Sequence, residues 1–270
     1  MKLIIEPGLS AKNYWRDLWN YRELAYFLAW RDIAVRYKQT VIGVVWALLR
    51  PALTMLVFVA FRRISGLQRG EIPDPILIFA AVLPWQFFST ALVECSNSLI
   101  GNGNLISKIY FPRLIVPCAS VTTSLVDFTI SFALLIVMML FYRFAPGWPI
   151  LMLPFFIALT FVLALGFGVL LATLNVEYRD FRFVVPFMVQ FGVFVSPIAF
   201  QSDAVPAEWR MLYALNPMVG VIDGFRWSIL GGHTPLSLPS VAISILMAIG
   251  SLTLGIRYFR RMERTFADVI

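Results

Sequence analysis

The chain has 270 residues, 60% of them hydrophobic and only 14% charged, with a formal net charge of +7. A soluble domain carries about 25% charged residues, so one or two soluble domains of this length are excluded. The positive charge is read as a basic rim facing anionic lipid, not as a nucleic-acid site.

The first forty residues are charged and aromatic throughout, with no short apolar core before a small-residue cleavage site, so no cleavable leader is expected. Within them, Ala11–Trp30 places Tyr14, Leu18, Tyr21, Ala25 and Leu28 at helical spacing, with Asn13, Asp17, Asn20 and Glu23 opposite. This predicts an amphipathic helix, lying in the membrane interface or packed on a partner. A cationic run follows, Arg31, Asp32, Arg36, Tyr37 and Lys38, at the cytosolic entry to the first span.

Six windows approach or exceed the roughly 20 apolar residues that a crossing helix needs: Val41–Phe61, Ile76–Ile100, Leu114–Phe141, Trp148–Leu174, Phe183–Phe200 and Leu238–Tyr258. The predicted fold is an all-α polytopic membrane protein forming one transmembrane domain over residues 1–270. Residues 1–38 are cytosolic, 41–258 hold the spans and 259–270 form a cytosolic tail. Fifteen Lys and Arg fall on the termini and the loops at 101–113 and 175–182. Six fall on the other side (Arg62, Arg63, Arg69, Arg143, Arg210, Arg226), which puts both termini in the cytosol.

Span one carries Trp46 and, about 15 Å in by helical rise, Arg50 followed by Pro51. A bare guanidinium at that depth is costly, so it must face protein, water or a carboxylate. Asp127 in span three, about 19 Å in, is the expected partner, and Glu94 in span two the alternative. Such a pair serves function or only fixes helix register. Cys95 and Cys118 read as small buried residues without a disulfide.

Between spans two and three, Gly101–Pro117 is too short and too polar to cross. It asks for a turn at Gly101–Asn104, one or two helical turns, and a stop imposed by Pro112 and Pro117. This is a handle for another protein to grip. Gly166 and Gly168 in span four mark close helix packing rather than a nucleotide site. Asn175–Arg182, with Arg179 and Asp180, is a compact charged turn and a second docking surface. Span five ends at Ser196-Pro197. The stretch Trp209–Leu230, interrupted by Asn216-Pro217, Asp223 and Arg226, is too polar to span and too apolar for a solvated loop. It predicts a re-entrant helical pair at the outer side, or a helix resting on the outer surface.

Catalytic patterns are absent from the sequence. His233 is the only histidine, no paired carboxylates suit acid–base work, and none of the four lysines follows a glycine, so no P-loop exists. Energy for uphill transport would come from an ion gradient or from another polypeptide.

Several stretches together resemble the type-2 ABC permeases that export O-antigen, capsule or teichoic acid chains. They are Arg31-Asp32-Ile33 through Arg36-Tyr37-Lys38 with Gly43, Trp46 and Pro51; Asn104–Pro117; Arg179-Asp180-Phe181; Ser196-Pro197-Ile198; Asn216-Pro217-Met218; and Glu263–Asp268. The resemblance covers almost the whole chain. It implies a homodimer in the bacterial inner membrane with two copies of a separate nucleotide-binding subunit, which holds the ATP and Mg, and no cofactor in this chain. It also implies a coupling helix at Lys108–Arg113 and a channel for a lipid-linked glycan. Leu105, Ile106, Lys108, Ile109, Tyr110, Phe111 and Arg113 are then the ATPase-docking candidates, and Trp46 and Phe87 the aromatic candidates for the channel wall. Ser196, Pro197, Asn216, Pro217, Asp223 and Arg226 are the candidates for an outer gate. Two other readings remain at this point: an ion-coupled flippase with Asp127 and Glu94 as proton carriers, or a type-2 exporter of a lipid or drug. A membrane enzyme acting on a lipid-linked sugar is disfavoured by the missing His and acid pairs.

Overall fold

The computed structural model describes residues 10–38, 43–66, 72–263 and 266. Val41, where the first predicted span begins, lies outside the described residues, as do Arg264, Thr265, Ala267 and Asp268 of the terminal motif. Among the described residues all regular structure is helical. The elements are α1 (Ser10–Asn20), α2 (Arg22–Lys38), α3 (Gly43–Ile64), α4 (Asp74–Gly101), α5 (Gly103–Lys108), α6 (Ile115–Phe141), α7 (Leu153–Glu177), α8 (Phe181–Val195), α9 (Ala207–Tyr213), α10 (Pro217–Ile229) and α11 (Leu238–Met262).

Among the described residues, five helices are long and apolar enough to cross a membrane, containing α3, α4, α6, α7 and α11. The fifth predicted span is shorter than its apolar window implies. Its helix α8 has 15 residues and stops at Val195, because Ser196 turns extended ahead of Pro197. The predicted N-terminal helix is also revised. It breaks at Tyr21, and its second part runs on through the cationic residues to Lys38.

Helix α4 is the hub and is buried along most of its length, from Ile76 to Leu99. It packs on α6 and α7, and α7 packs on α11. Small residues permit the close approach, as the sequence predicts. A Cβ at Gly166 would come 2.5 Å from Ser251 Oγ of α11, and one at Gly168 would come 2.6 Å from Cys95 Sγ of α4. Close backbone approach of this kind is how helices gain dispersion contacts where lipid removes the hydrophobic drive. Both cysteines are free, Cys95 buried and Cys118 partly so. Helix α3 and the outer face of α8 remain largely exposed, Phe183, Phe187, Phe191 and Phe194 among them.

The two ends of the bundle differ. At one end gather α1, α2, α5 and the C-terminal end of α11, linked by Arg31 to Asn102, by Arg113 to Glu263 and by Arg260 over the Tyr14 ring. At the other lie α9, α10 and the connections between the long helices, where Arg62 meets Asp74 and Arg226 meets Leu77. Helix α8 is reached from the first end, where Glu177 accepts from Tyr258, and it leads to Ile198 and Phe200 at the second.

Candidate functional site

Helix α2 carries Leu28, Asp32 and Arg36 at four-residue steps, so they share one face. That face packs along α6 and brings Arg36 to Asp127, about 18 Å along α6 from its first residue by helical rise. The Arg36 guanidinium donates through Nη1 to Asp127 Oδ2 and through Nη2 to Glu94 Oε1, so one side chain ties α2 to α4 and α6. Tyr37 donates its hydroxyl to the other Asp127 oxygen, and Ser124 donates to Glu94 at 3.2 Å. Burial, and then the Asp127 acceptor, pushes the Tyr37 phenol above its ordinary value, which keeps it a donor.

This arrangement corrects the expected Arg50–Asp127 pair, and the Glu94 alternative with it. Both acids are held by Arg36, a residue read from the sequence as part of an anchor. The forked guanidinium can serve two carboxylates at once, and the unbroken helix through Lys38 places it between them. Arg50 instead forms no ion pair among the described residues and is exposed on α3. It borders two clefts. One, of about 650 Å³, lies between α3, α4 and α8 and is mostly apolar. The second, of about 480 Å³, lies between α3, α4 and α6 and runs toward the Arg36 cluster. Trp46 stands open beside the second cleft, 54% exposed. Phe87 lines it from behind, only 3% exposed and against the Phe128 ring at 5.3 Å.

The predicted handle between α4 and α6 is shaped differently from its sequence reading. Helix α4 continues through Gly101, and Asn102 alone makes the break, non-helical at φ −111°, ψ 21°. Its side chain donates to the Ser98 carbonyl at 2.9 Å and accepts from Arg31 at 2.8 Å. The helical turn is Gly103–Lys108 and Ile109 is already extended, so the helix lies a few residues before Lys108–Arg113, where the resemblance implies one. Pro112 sits in the connection. Pro117 does not stop anything: it lies in the first turn of α6, where its missing amide costs no helical bond.

Ile106 and Phe111 are buried, at 4% each, and Leu105 is half-buried. Lys108, Ile109 and Tyr110 point outward, Ile109 56% and Tyr110 61% exposed. The loop is pinned at its far side by the tail: the Arg113 amide donates to Glu263 Oε1 at 3.0 Å, and its guanidinium to the Glu263 carbonyl. Burial raises the Glu263 carboxyl above the usual range, with the Arg113 amide and charge opposing. Glu263→Ala should therefore loosen the loop rather than unfold the bundle. Hydrogen exchange across residues 109–116 should quicken by about tenfold, the worth of one such bond. Unchanged exchange there would show that the tie does not hold the loop.

Arg179 and Asp180 are exposed in the turn before α8, at the same end of the bundle. Of the entry residues, Arg31 pairs with Asp32 at 2.6 Å, and Lys38 ends α2 exposed.

At the opposite end the structure joins residues that are far apart in sequence. Asn216 caps α10 by accepting from the Met218 amide at 3.0 Å, and its side-chain amide donates to Ser196 Oγ at 3.2 Å. Arg226, 1% exposed, donates to the carbonyls of Leu77, Ile198 and Phe200 at 3.2, 2.7 and 2.9 Å. Three carbonyl acceptors on one guanidinium, one from the first turn of α4 and two from irregular backbone, are invisible to sequence periodicity. Asp223 is 5% exposed, its Oδ2 has no hydrogen-bond partner among the described residues, and burial raises its carboxyl to about 6. Helix α10 packs between α4, α7 and α11, with Phe225 edge-on to Phe128 near the middle of α6. The Ser196-Pro197 and Asn216-Pro217 turns thus form one knot beneath α10.

The ABC-2 type transporter family matches this sequence over residues 23–230. An O-antigen export system permease protein RfbA of Myxococcus xanthus is 30% identical over 265 residues, covering 94% of this chain and 98% of that protein. A protein of the same name from Klebsiella pneumoniae is 24% identical over 89% of this chain and 92% of its own length. A second from that organism is 25% identical over the same shares.

Proposed function

Because this chain belongs to the ABC-2 type transporter family, we propose that it is the membrane-spanning permease subunit of an ATP-driven polysaccharide exporter. Its cargo is a lipid-linked glycan of the O-antigen kind, carried outward across the bacterial inner membrane. Two copies form the pathway, and two copies of a separate nucleotide-binding subunit supply ATP and Mg²⁺. This chain contributes no catalytic residue.

One observation carries the reading: the outward run Lys108–Tyr110, set on a loop tied to α2 by Asn102 and to the tail by Arg113. Exposed apolar residues on a rigid, basic-end loop suit a protein partner better than water. That end is taken as cytosolic from its Lys and Arg excess. Helices α1 and α2 and the C-terminal end of α11 gather at that end, so the stretch between them crosses an even number of times. We therefore take α8, with the extended residues after it, as the sixth crossing. A 15-residue helix covers about 22 Å, and residues 196–200 make up the remainder. Helix α10 is then a re-entrant cap, tolerated at that depth because its irregular neighbours are hydrogen-bonded to Arg226.

An ion-coupled flippase is less well supported. Its two proton carriers, Glu94 and Asp127, are both ion-paired to Arg36 and do not stand free in the path. The test is co-purification followed by reconstitution. An ATPase subunit should elute with this chain, and glycan export should stop when that subunit's Walker lysine is replaced. Export that persists with the disabled ATPase, or that an uncoupler alone abolishes, would sink the ATP-driven reading.

A further inference from the structure

We propose that Arg50 is the binding residue for the phosphate group of a lipid-linked cargo, seated where the two clefts of α3 meet. The cargo rests on the exporter reading above, but the site itself stands on geometry. The guanidinium lies seven residues into α3, about 10 Å along it by helical rise. An uncompensated cation at that depth is expensive. Both nearby acids are already engaged by Arg36, and no described carboxylate pairs with Arg50. The acids carry one negative charge more than Arg36 supplies, but none of it is paired directly with Arg50, which leaves the guanidinium open to an anion from outside the described residues.

The clefts on either side say what kind of anion it is. Arg50, Gln86 and Thr90 line both of them, so a hydroxyl and an amide side chain share both linings with Arg50. Gln190 of α8 adds a second amide on the larger side. Beyond them the larger cleft is walled by Leu53, Val57, Phe58, Val193 and Phe194, a surface for a hydrocarbon tail. The smaller cleft is lined by Ser124, Ser131 and the open face of Trp46, a surface for hydroxyls and for the C–H face of a sugar. A molecule with an apolar tail, a phosphate in the middle and a glycan beyond fits this order of surfaces. Glu94 borders both clefts and Asp127 the smaller one; Arg36 pairs with both, and the one net negative charge that remains is what the phosphate contact with Arg50 has to outweigh.

The test uses the full chain with its ATPase subunit in phosphatidylcholine nanodiscs. These are titrated with a polyprenyl pyrophosphate and, separately, with phosphatidylglycerol, with retention read by native mass spectrometry. Arg50→Gln should weaken retention of the pyrophosphate lipid roughly tenfold or more, the worth of a charge-assisted contact. Arg50→Lys should restore part of it, since a point charge lacks the fork. Phosphatidylglycerol should be held weakly and without regard to residue 50. Equal, Arg50-dependent retention of both lipids would overturn the cargo as the source and assign the site to a bilayer headgroup. Pyrophosphate retention unchanged by Arg50→Gln would overturn the site altogether. A dimer weakened by Arg50→Gln with retention unchanged would hand the position to a carboxylate of a second copy. The two readings fail separately. A wild-type complex that holds the lipid without exporting it sinks the exporter and leaves the Arg50 site standing.

Discussion

Arg36→Met should destabilise the chain by about 3 kcal/mol, the low end for removing one partner of a buried ion pair. The low end applies because Arg36, Glu94 and Asp127 keep 29, 27 and 22% of their side-chain surface exposed. The loss is large for its size because the variant strands two carboxylates at once, on two different helices. Unfolding followed by size exclusion in detergent should show a clear drop in midpoint. Arg36→Lys should recover little, since an ammonium cannot bridge two acids in one geometry. The decisive arm is the triple variant with Glu94→Gln and Asp127→Asn. Removing both charges should return most of the stability, because the cost lies in the orphaned acids rather than in a missing contact. A single variant as stable as the parent would show that the triad holds nothing together.

That triad also shows where sequence reading succeeds and where it stops. Runs of 20 or more apolar residues are set by bilayer thickness, so α4, α6, α7 and α11 are legible within a few residues. The small residues Gly166 and Gly168 were legible as packing positions because a glycine inside an apolar helix has few other uses. That Asp127 or Glu94 would pair with an arginine was legible too. The identity of that cation was not. The four-residue steps Leu28, Asp32, Arg36 were visible, but the prediction ended the amphipathic helix at Trp30. Carrying the 3.6-residue period to Lys38 would have put Arg36 on the buried face. Arg226 is a different case. Its acceptors are carbonyls of Leu77, Ile198 and Phe200, set by tertiary geometry alone, and no local pattern encodes them.

The loop proposed to dock the ATPase carries the second large effect, and here the structure changes which residues to alter. In the sequence Tyr110 and Phe111 are adjacent aromatics of equal promise, but an extended segment sends neighbours to opposite sides. The structure sends Phe111 inward, 4% exposed, so Phe111→Ala would cost about 3–5 kcal/mol of packing and confuse folding with docking. Ile109 and Tyr110 are the open pair. Ile109→Asp with Tyr110→Ala should leave the unfolding midpoint of the permease alone within a degree or two. It should lower ATP-driven glycan export in proteoliposomes by roughly a hundredfold. Two interface anchors of about 2 kcal/mol each would suffice, and a dimer presents the pair twice. The ATPase subunit should also be lost from the purified complex at moderate dilution. Export at the parent rate would show that the motor grips elsewhere, with the exposed Arg179–Asp180 turn the next surface to alter. A folded permease that keeps its ATPase yet fails to export would place the loop's role in transmitting the stroke. In that case Glu263→Ala, which frees the same loop from the tail, should produce a milder form of the same defect.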